Sequence, residues 1–352
     1  MFRILASVRE KHPLLTFVLG RVLTMFVTLF FLGLGVFFLM SLAPGDVVDN
    51  FARSQLMTQA SAETSTSSQG DPFNPERLAA AKKRLGLDLP FYQQYFRWLG
   101  QVFIEGDLGR SLVSRAPVLF LISSRMINSI VLNLISLVVL TLASFSLGVW
   151  MSAKAGTRID VVTGLVGLFF HAFPSLLMLL LLQLFAAVSG WFPITAYPSE
   201  IMEGNPVGFA FNYLYHIVLP LFGAFLGGIG GTMRTIRATM LDQLGQPYMT
   251  ALRSRGVGEK RLLWAHAFRN TMNPYITSSA NLLAGLFSGS LLLEIIFAYP
   301  GVGRLMYEAV SQQDINLVLA NIMFVSFLVL VGMTLSDIFL AVVDPRIRYG
   351  KS

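Results

Sequence analysis

Six long apolar segments constrain the fold of this chain more than any other feature of its sequence. Each is close to the roughly 20 residues that an α-helix needs to cross a hydrocarbon core about 30 Å thick. They lie at approximately Val22–Leu42, Ser129–Met151, Val161–Val188, Tyr213–Met233, Tyr275–Phe297 and Leu317–Val343. Hydrophobic residues make up 54% of the chain and charged residues only 13%, a composition that is untypical of soluble globular proteins. The sequence therefore predicts an all-α integral membrane protein with six transmembrane helices.

The basic residues of the short loops predict how these helices are oriented. Residues 1–21 carry four basic side chains against one acid, and residues 234–273 carry seven against two. Because short loops rich in lysine and arginine stay on the cytoplasmic side, both segments are predicted to be cytoplasmic, and six spans return the tail to the same side. The predicted regions are the cytoplasmic N-terminus with the first helix (1–43), an extracytoplasmic segment (44–128), the core of five helices (129–343) and the cytoplasmic tail (344–352).

The extracytoplasmic segment begins with a polar stretch, Thr58–Gly70, that is predicted to be disordered because it has few apolar residues to bury. Order is predicted to resume with a helix that starts at Asn74 and Pro75. One face of a further helix is then formed by Phe91, Tyr95, Trp98, Leu99, Val102 and Phe103. This aromatic stripe fits a helix resting at the outer membrane interface and fits packing against the membrane helices equally well.

The basic loop between the fourth and fifth segments has an internal pattern of its own. Tyr248 to Arg255 is compatible with a helix, Gly256 and Gly258 can end it with positive φ, and a second helical run extends from Glu259 to about Asn270. Two short helices around a glycine predict a compact knob that another protein can grip. The alternative is that the basic residues only fix the topology.

Several chemistries are not predicted from this sequence. There is no cysteine, which excludes disulfides, thiol nucleophiles and Cys-ligated metals. The four histidines, His12, His171, His216 and His266, have no metal-ligand spacing. The terminal Gly350-Lys351-Ser352 is not a phosphate-binding loop, because Pro345 occupies the position of its first glycine and the following helix is missing. No metal and no bound cofactor are expected.

Polar residues in the fifth apolar segment are candidates for lining a path through the membrane. They are Ser278, Ser279, Asn281, Ser288, Ser290 and Glu294. Packing between helices is the alternative for the small ones. Glu294 and Asp337 are acids at or near the membrane-spanning part of the chain, which makes each a functional candidate by default. For Glu294, the favoured role is to hold the turn that follows it in the sequence. That turn contains Tyr299, Pro300, Gly301 and Gly303 and is predicted to cap the path as an outer gate, an ordinary surface connection being the alternative.

Several motifs occur together in a particular order. They are Gly86-Leu87-Asp88, Tyr95, the run from Gly106 to Ser111, the loop from Arg253 to Pro274, Glu294-Ile295-Ile296-Phe297 followed by Tyr299-Pro300-Gly301-Val302-Gly303, and Asp344 to Tyr349. In these motifs nearly the whole chain resembles a permease subunit of the dipeptide/oligopeptide/nickel family of ABC transporters. Two departures are Thr250-Ala251-Leu252, where ABC importers in general have Glu-Ala-Ala, and the serine-rich insertion near Thr58–Gly70.

The resemblance implies a multi-pass protein of a prokaryotic inner membrane that works with partner chains. These are a second homologous permease, two ABC ATPases that bind the ATP, and an extracytoplasmic solute-binding protein; no nucleic acid is involved. The cytoplasmic loop 237–273 is then the site of ATPase coupling, through Ala251, Arg253, Arg255, Gly256, Gly258, His266, Asn270 and Pro274. Peptides are the default substrate, while nickel and oligosaccharides are carried by close relatives of the family.

Two other classes of function are less well supported. A secondary transporter is expected to show repeated halves, and no convincing repeat occurs. An intramembrane protease needs paired catalytic groups at membrane depth, and neither Glu294 nor Asp337 lies in a protease motif. The chain is therefore predicted to be a transport subunit that is not itself an enzyme.

Overall fold

The computed structural model describes residues 13–42, 89–111, 113–198, 205–272, 275, 290–312 and 314–343. Their helices are α1 (Pro13–Leu42), α2 (Phe91–Gly100), α3 (Val118–Ala153), α4 (Arg158–Ala172), α5 (Ser175–Ser189), α6 (Pro206–Leu244), α7 (Pro247–Ser254), α8 (Glu259–Arg261, a π-helical turn Leu262–Ala267, and Phe268–Thr271), α9 (Leu291–Ile296), α10 (Val302–Ser311) and α11 (Ile315–Val343). A second π-helical turn, Gln101–Glu105, follows α2. The all-α integral membrane fold is thus confirmed.

Four helices are long and apolar enough to cross a membrane, and a bent pair raises the number to as many as five in the described part of the chain. The four lie at Thr16–Leu39, Val118–Ala153, Pro206–Leu244 and Asn316–Leu335. Most of the predicted fifth span, together with the predicted helix at Asn74 and the Thr58–Gly70 stretch, lies outside the described residues. The number of six spans therefore stays a prediction.

The third apolar segment, expected to be one helix, is two helices. α4 and α5 meet at an angle of 96°. Phe173 between them is extended, with ψ 133°, because the residue before a proline is pushed out of the helical region, and Pro174 has no N–H to continue the ladder. The span is therefore broken near Pro174.

The boundaries of two other spans also differ from those expected. α3 begins at Val118, well before Ser129, so its first turns belong to the segment that was assigned to the extracytoplasmic side. α6 continues past Met233 to Leu244, so the first part of the predicted loop is helical. In both cases the expected boundary was placed where polar residues end the apolar run. The helix continues past that point, because Ser, Thr and Arg are compatible with helical backbone.

The described residues fall into two compact units, one within Met1–Ser124 and Leu305–Thr334, the other within Arg125–Arg304 and Leu335–Asp344. In the first unit the aromatic stripe of α2 packs on α1. The Tyr95 ring is fully buried, its centroid lies 5.6 Å from that of Phe30 and 5.3 Å from that of Phe37, and its hydroxyl donates to the Phe30 carbonyl at 3.0 Å. Packing therefore explains the start of the stripe, whereas Phe103 at its end remains 72% exposed.

A buried carboxylate organises the start of α11 in the same unit. Asp314 is 1% exposed, its Oδ2 accepts from the Ser111 hydroxyl at 2.5 Å, and its Oδ1 accepts from the Leu317 N–H at 3.2 Å. Asn316 also donates to the Arg110 carbonyl at 3.0 Å. The motif that ends at Ser111 is thus tied to the N-terminus of α11 by a capping acid.

Candidate coupling site and the Glu294 turn

The basic loop folds as the compact knob that its sequence predicts; "the knob" here denotes residues 247–271. Pro247 occupies the first turn of α7, where a missing N–H costs nothing, and Gly256 turns the chain with φ +79°. The N–H of Gly256 donates to the Arg253 carbonyl at 2.9 Å, which closes α7. The expectation of positive φ at Gly258 is wrong: its φ is −63° and ψ 143°, because it is the N-cap of α8 rather than part of the turn.

An apolar core fixes the knob to the ends of two long helices. Three of its side chains, those of Met249, Leu262 and Ala267, are fully buried. They pack with Val149 of α3 and with Ile236 and Met240 of α6. Burying a side chain of the size of leucine or methionine contributes about 1.5–3 kcal/mol. The knob is therefore held to α3 and α6 by packing as well as by the chain.

Polar contacts tie the two arms of the knob to α6. The Asn270 amide donates to the Tyr248 hydroxyl at 3.0 Å, and that hydroxyl donates to the Gln243 carboxamide oxygen at 3.0 Å. Arg253 and Glu259 form an ion pair at 3.0 Å across the turn, with side chains 45% and 65% exposed. An ion pair this exposed contributes little to stability. The hydrogen bonds between Asn270, Tyr248 and Gln243 orient the two arms, while Arg253 and Glu259 stay accessible to solvent.

Most of the predicted coupling residues are exposed on the knob, and these exposed residues together with Glu259 are called the rim below. Exposed are Ala251, Arg253, Arg255, Gly256, Gly258 and Asn270, whereas His266 is half-buried and Pro274 lies outside the described residues. Trp264 is 42% exposed and its ring centroid lies 5.3 Å from that of Phe268. The rim is therefore exposed and basic, and the exposed ring of Trp264 also lies on the knob.

Sequence reasoning missed an ion pair beside the knob. Arg237 of α6 binds Asp160 of α4 with both ends of its guanidinium, Nε to Oδ1 and Nη2 to Oδ2, each at 2.6 Å. Asp160 is 4% exposed, and its Oδ2 also accepts from the Gly156 N–H at 3.0 Å. The two residues are 77 positions apart, and nothing local in the sequence marks them as partners.

The second candidate region is the Glu294 turn, residues 290–304, where the acid is fully buried. Its Oε1 accepts from the Ser129 hydroxyl at 2.8 Å and from the Ser290 N–H at 3.3 Å, and its Oε2 accepts from the Arg304 N–H at 3.0 Å. The Ser129 oxygen in turn accepts from the Val302 N–H at 2.8 Å. Every one of these contacts shapes the turn, which favours the holding role for Glu294.

Glycine is required where the turn closes on this carboxylate. A Cβ on Gly301 would lie 2.3 Å from the Glu294 carboxyl carbon, and one on Gly303 would lie 3.0 Å from Oε2. The first distance is shorter than real Cβ contacts, and the second is tighter than most of them. The two glycines therefore permit the close approach of backbone to acid.

Tyr299 connects the same turn to α3 and α6. It is fully buried, and its hydroxyl donates to the Asn128 carbonyl at 2.8 Å. Since that hydroxyl has one proton, the Tyr213 hydroxyl at 2.9 Å must be the donor to Tyr299. Burial above all raises the pKa of the Tyr299 phenol far above its ordinary value of 10.0. Tyr299 therefore stays protonated and keeps its bond to Asn128.

Only some of the remaining candidates for the path lie within the described residues. Ser278, Ser279, Asn281 and Ser288 lie outside the described residues, as does the side chain of Asp337. The Ser290 hydroxyl is buried without a hydrogen-bond partner among the described residues. Pro300 accepts a hydrogen bond at its carbonyl from the Asn128 amide at 3.0 Å. No group of three or more His, Cys, Asp or Glu residues that could hold a metal ion occurs in the described part.

Fold and site together define a multi-pass membrane subunit with an exposed knob that is packed onto two long helices. A family profile described as "Binding-protein-dependent transport system inner membrane component" matches residues 144–349, and its N-terminal counterpart matches residues 14–144. The chain belongs to this family of ABC importer inner-membrane components. It is thus a permease rather than an enzyme, and ATP is hydrolysed by partner ATPases.

Individual relatives agree with this assignment. The chain is 34% identical over 272 residues to the oligopeptide transport system permease protein AppB of Bacillus subtilis, covering 76% of this chain and 84% of AppB. It is 31% identical over 339 residues to the inner membrane ABC transporter permease protein YejB of Escherichia coli, covering 89% and 93%. It is 29% identical over 342 residues to the glutathione transport system permease protein GsiC of Salmonella paratyphi A, covering 96% and 100%.

Proposed function

We propose that this permease imports peptides and is coupled to its ATPases through the loop 237–273, with both chain termini in the cytoplasm. The partners are a second homologous permease, two ATPases that bind the ATP, and an external solute-binding protein. The observation that carries the coupling is the buried contact of Met249 and Leu262 with α3 and α6. A displacement of the knob is passed directly to two long helices, because a close-packed contact does not absorb movement.

The peptide substrate is supported by the printed names of the relatives. AppB is named for oligopeptide transport, and GsiC is named for glutathione, a tripeptide. Uptake of labelled short peptides into proteoliposomes that contain the complete complex tests this proposal. ATP-driven uptake of nickel or an oligosaccharide, without uptake of any peptide, would contradict it.

Coupling is tested with Gly256→Val. A β-branched residue is strained at φ +79°, yet nothing lies within 4 Å of the added Cβ, so the change acts on the turn alone. We expect normal insertion and a fall of at least about tenfold in ATPase association or peptide-stimulated ATP hydrolysis. The matched control is Gly190→Val at the end of α5, which also has positive φ (+67°) and open space.

Equal loss in Gly256→Val and Gly190→Val would mean that strain in general, and not the knob, is responsible. Transport by Gly256→Val at the unmodified rate would remove the knob as the mechanical link. Orientation is tested separately in this cysteine-free chain: Ser67→Cys should react with an impermeant maleimide from outside, and Ser352→Cys should be protected in intact cells.

A further inference from the structure

A histidine lies close to the break between α4 and α5. His171 is eleven positions beyond Asp160, about 16 Å along α4 from the ion pair of Asp160 with Arg237. The backbone leaves the helix two residues later, at Phe173. Broken helices within a membrane occur where they are buried in protein or line a water-filled cavity. The side chain of His171 is exposed on this chain.

The histidine ring lies over a glycine pair of α6. Its Nδ1 is 3.2 Å from the Gly227 carbonyl oxygen, and its Cε1 is 3.3 Å from the position of a Cβ on Gly231. Because a carbonyl only accepts, Nδ1 carries the proton in this contact, and Nε2 has no hydrogen-bond partner among the described residues. The free nitrogen is available to a donor such as a peptide N–H.

The same face of α6 continues with polar residues towards its C-terminal end. Gly227, Gly231, Arg234 and Thr235 follow one another at intervals of four, three and one residues and share one helical face. Arg234 and Thr235 are exposed. No carboxylate in the described part of the chain forms an ion pair with Arg234. We call His171, Gly227, Gly231, Arg234 and Thr235 the polar strip; it runs from the break after α4 towards the C-terminal end of α6.

Contact with lipid does not account for this strip. An arginine near the end of a span can extend to the headgroups, which explains Arg234 alone. It does not explain an exposed histidine whose Nε2 has no hydrogen-bond partner among the described residues, since polar groups in hydrocarbon need one. The other exposed residues of α4 around this level, such as Phe169 and Leu165, are apolar, as a lipid-facing surface requires.

We infer that the polar strip lines the inner half of the translocation path and that Arg234 attracts the carboxylate end of the transported peptide. This inference rests on the proposed function. The choice of the substrate's carboxylate end follows from charge, because a fixed cation without an ion-pair partner among the described residues favours a carboxylate. His171 Nε2 then accepts a hydrogen bond from a backbone N–H of the same peptide. It adds a second lining surface to the one predicted from the fifth apolar segment.

Cysteine accessibility tests the path without any substrate. Gly227→Cys places a thiol at the depth of His171 in open space, and Phe169→Cys places one at nearly the same depth on the other side of α4, roughly 200° away around the helix. In the complete complex, a charged methanethiosulfonate should modify Gly227→Cys at least about tenfold faster than Phe169→Cys. Equal, slow rates would overturn the proposal. So would a Gly227→Cys that reacts in the isolated subunit but not in the complex, because the second permease would then cover the strip.

The role of Arg234 is tested with peptides that differ only at the C-terminus. Arg234→Gln should lower uptake of a free-carboxylate peptide roughly tenfold while changing uptake of its C-terminal amide much less, and Arg234→Lys should restore the carboxylate preference. Arg158→Gln, an exposed cation at the start of α4 outside the strip, is the control and should leave both rates unchanged. Equal loss for both peptides in Arg234→Gln would overturn the assignment. Failure of the unmodified complex to take up any peptide would instead contradict the proposed function, and the cysteine test would still report on the strip.

Discussion

The knob and the Glu294 turn use polar residues in opposite ways. In the knob, polar side chains lie on an exposed rim beside an apolar core, and the Arg253–Glu259 ion pair has side chains 45% and 65% exposed. In the Glu294 turn, the acid is fully buried and three donors converge on its carboxylate. A rim of this kind is open to a partner, whereas the contacts of the turn are satisfied internally. Changes in the turn should therefore affect stability first, and changes on the rim should affect coupling first.

The largest effect on stability is expected from Glu294→Leu. This change leaves the Ser129 hydroxyl and the Arg304 and Ser290 N–H groups without their acceptor, and each buried unsatisfied group costs about 1–3 kcal/mol. We expect a loss of roughly 3–6 kcal/mol, measured as a lower Tm of the purified protein in detergent. The control is Glu259→Leu on the rim, whose free energy of unfolding should stay within about 0.5 kcal/mol of that of the unmodified protein. Similar Tm values for the two variants would remove the contrast between the regions.

The next effect is expected from Met249→Ala in the core of the knob. Met249 is fully buried, and truncation leaves a cavity against α3 and α6 at a cost of about 2–4 kcal/mol. Because the knob is then packed less tightly against α3 and α6, peptide-stimulated ATP hydrolysis should fall more than ATPase binding does. Tyr248→Phe, which removes one exposed hydroxyl, serves as the comparison and should cost under about 1 kcal/mol. A Met249→Ala complex that couples normally would show that the packed core does not transmit movement.

These two regions also differ in how far the sequence reveals them. The knob consists of neighbours in sequence, so helix propensity and Gly256 were enough to predict its two arms. The same reasoning was wrong at Gly258, since local sequence does not distinguish a glycine in a turn from a glycine at an N-cap. The partners of the Glu294 turn are far apart: Ser129 and Glu294 are separated by 165 positions. The motif around Glu294 favours its role in holding the turn, but nothing in the sequence marks Ser129 as its partner.

The break at Pro174 shows a further limit of the sequence. An apolar run of sufficient length predicts a span, and the run from Val161 to Val188 gave no reason to expect two helices except its proline. Prolines inside transmembrane helices are often tolerated, as Pro220 inside α6 illustrates. Whether a proline bends or breaks a span depends on packing around it, which a single sequence does not display.

A smaller effect is expected from Tyr299→Phe. The Asn128 carbonyl loses its donor and the Tyr213 hydroxyl loses its acceptor, while the ring keeps its packing in the buried cluster. We expect a loss of about 1–2 kcal/mol in stability, read from the Tm. Tyr213→Phe removes only the second of these bonds and should cost less. The reverse order of the two Tm values would mean that Tyr299 does not donate to Asn128.

The smallest effect on stability, and the sharpest test of the comparison, is expected from Arg253→Gln. The ion pair with Glu259 is exposed on both sides and contributes under about 0.5 kcal/mol, so the Tm should not change measurably. If the rim meets the ATPase, the loss of this cation should nevertheless weaken ATPase binding, and the effect should shrink at high salt because exposed charges are screened. Glu259→Gln breaks the same ion pair but removes a negative charge from the rim, so it separates the two explanations. Equal weakening in both variants would assign the effect to the internal ion pair, whereas weakening in Arg253→Gln alone would place Arg253 against the partner.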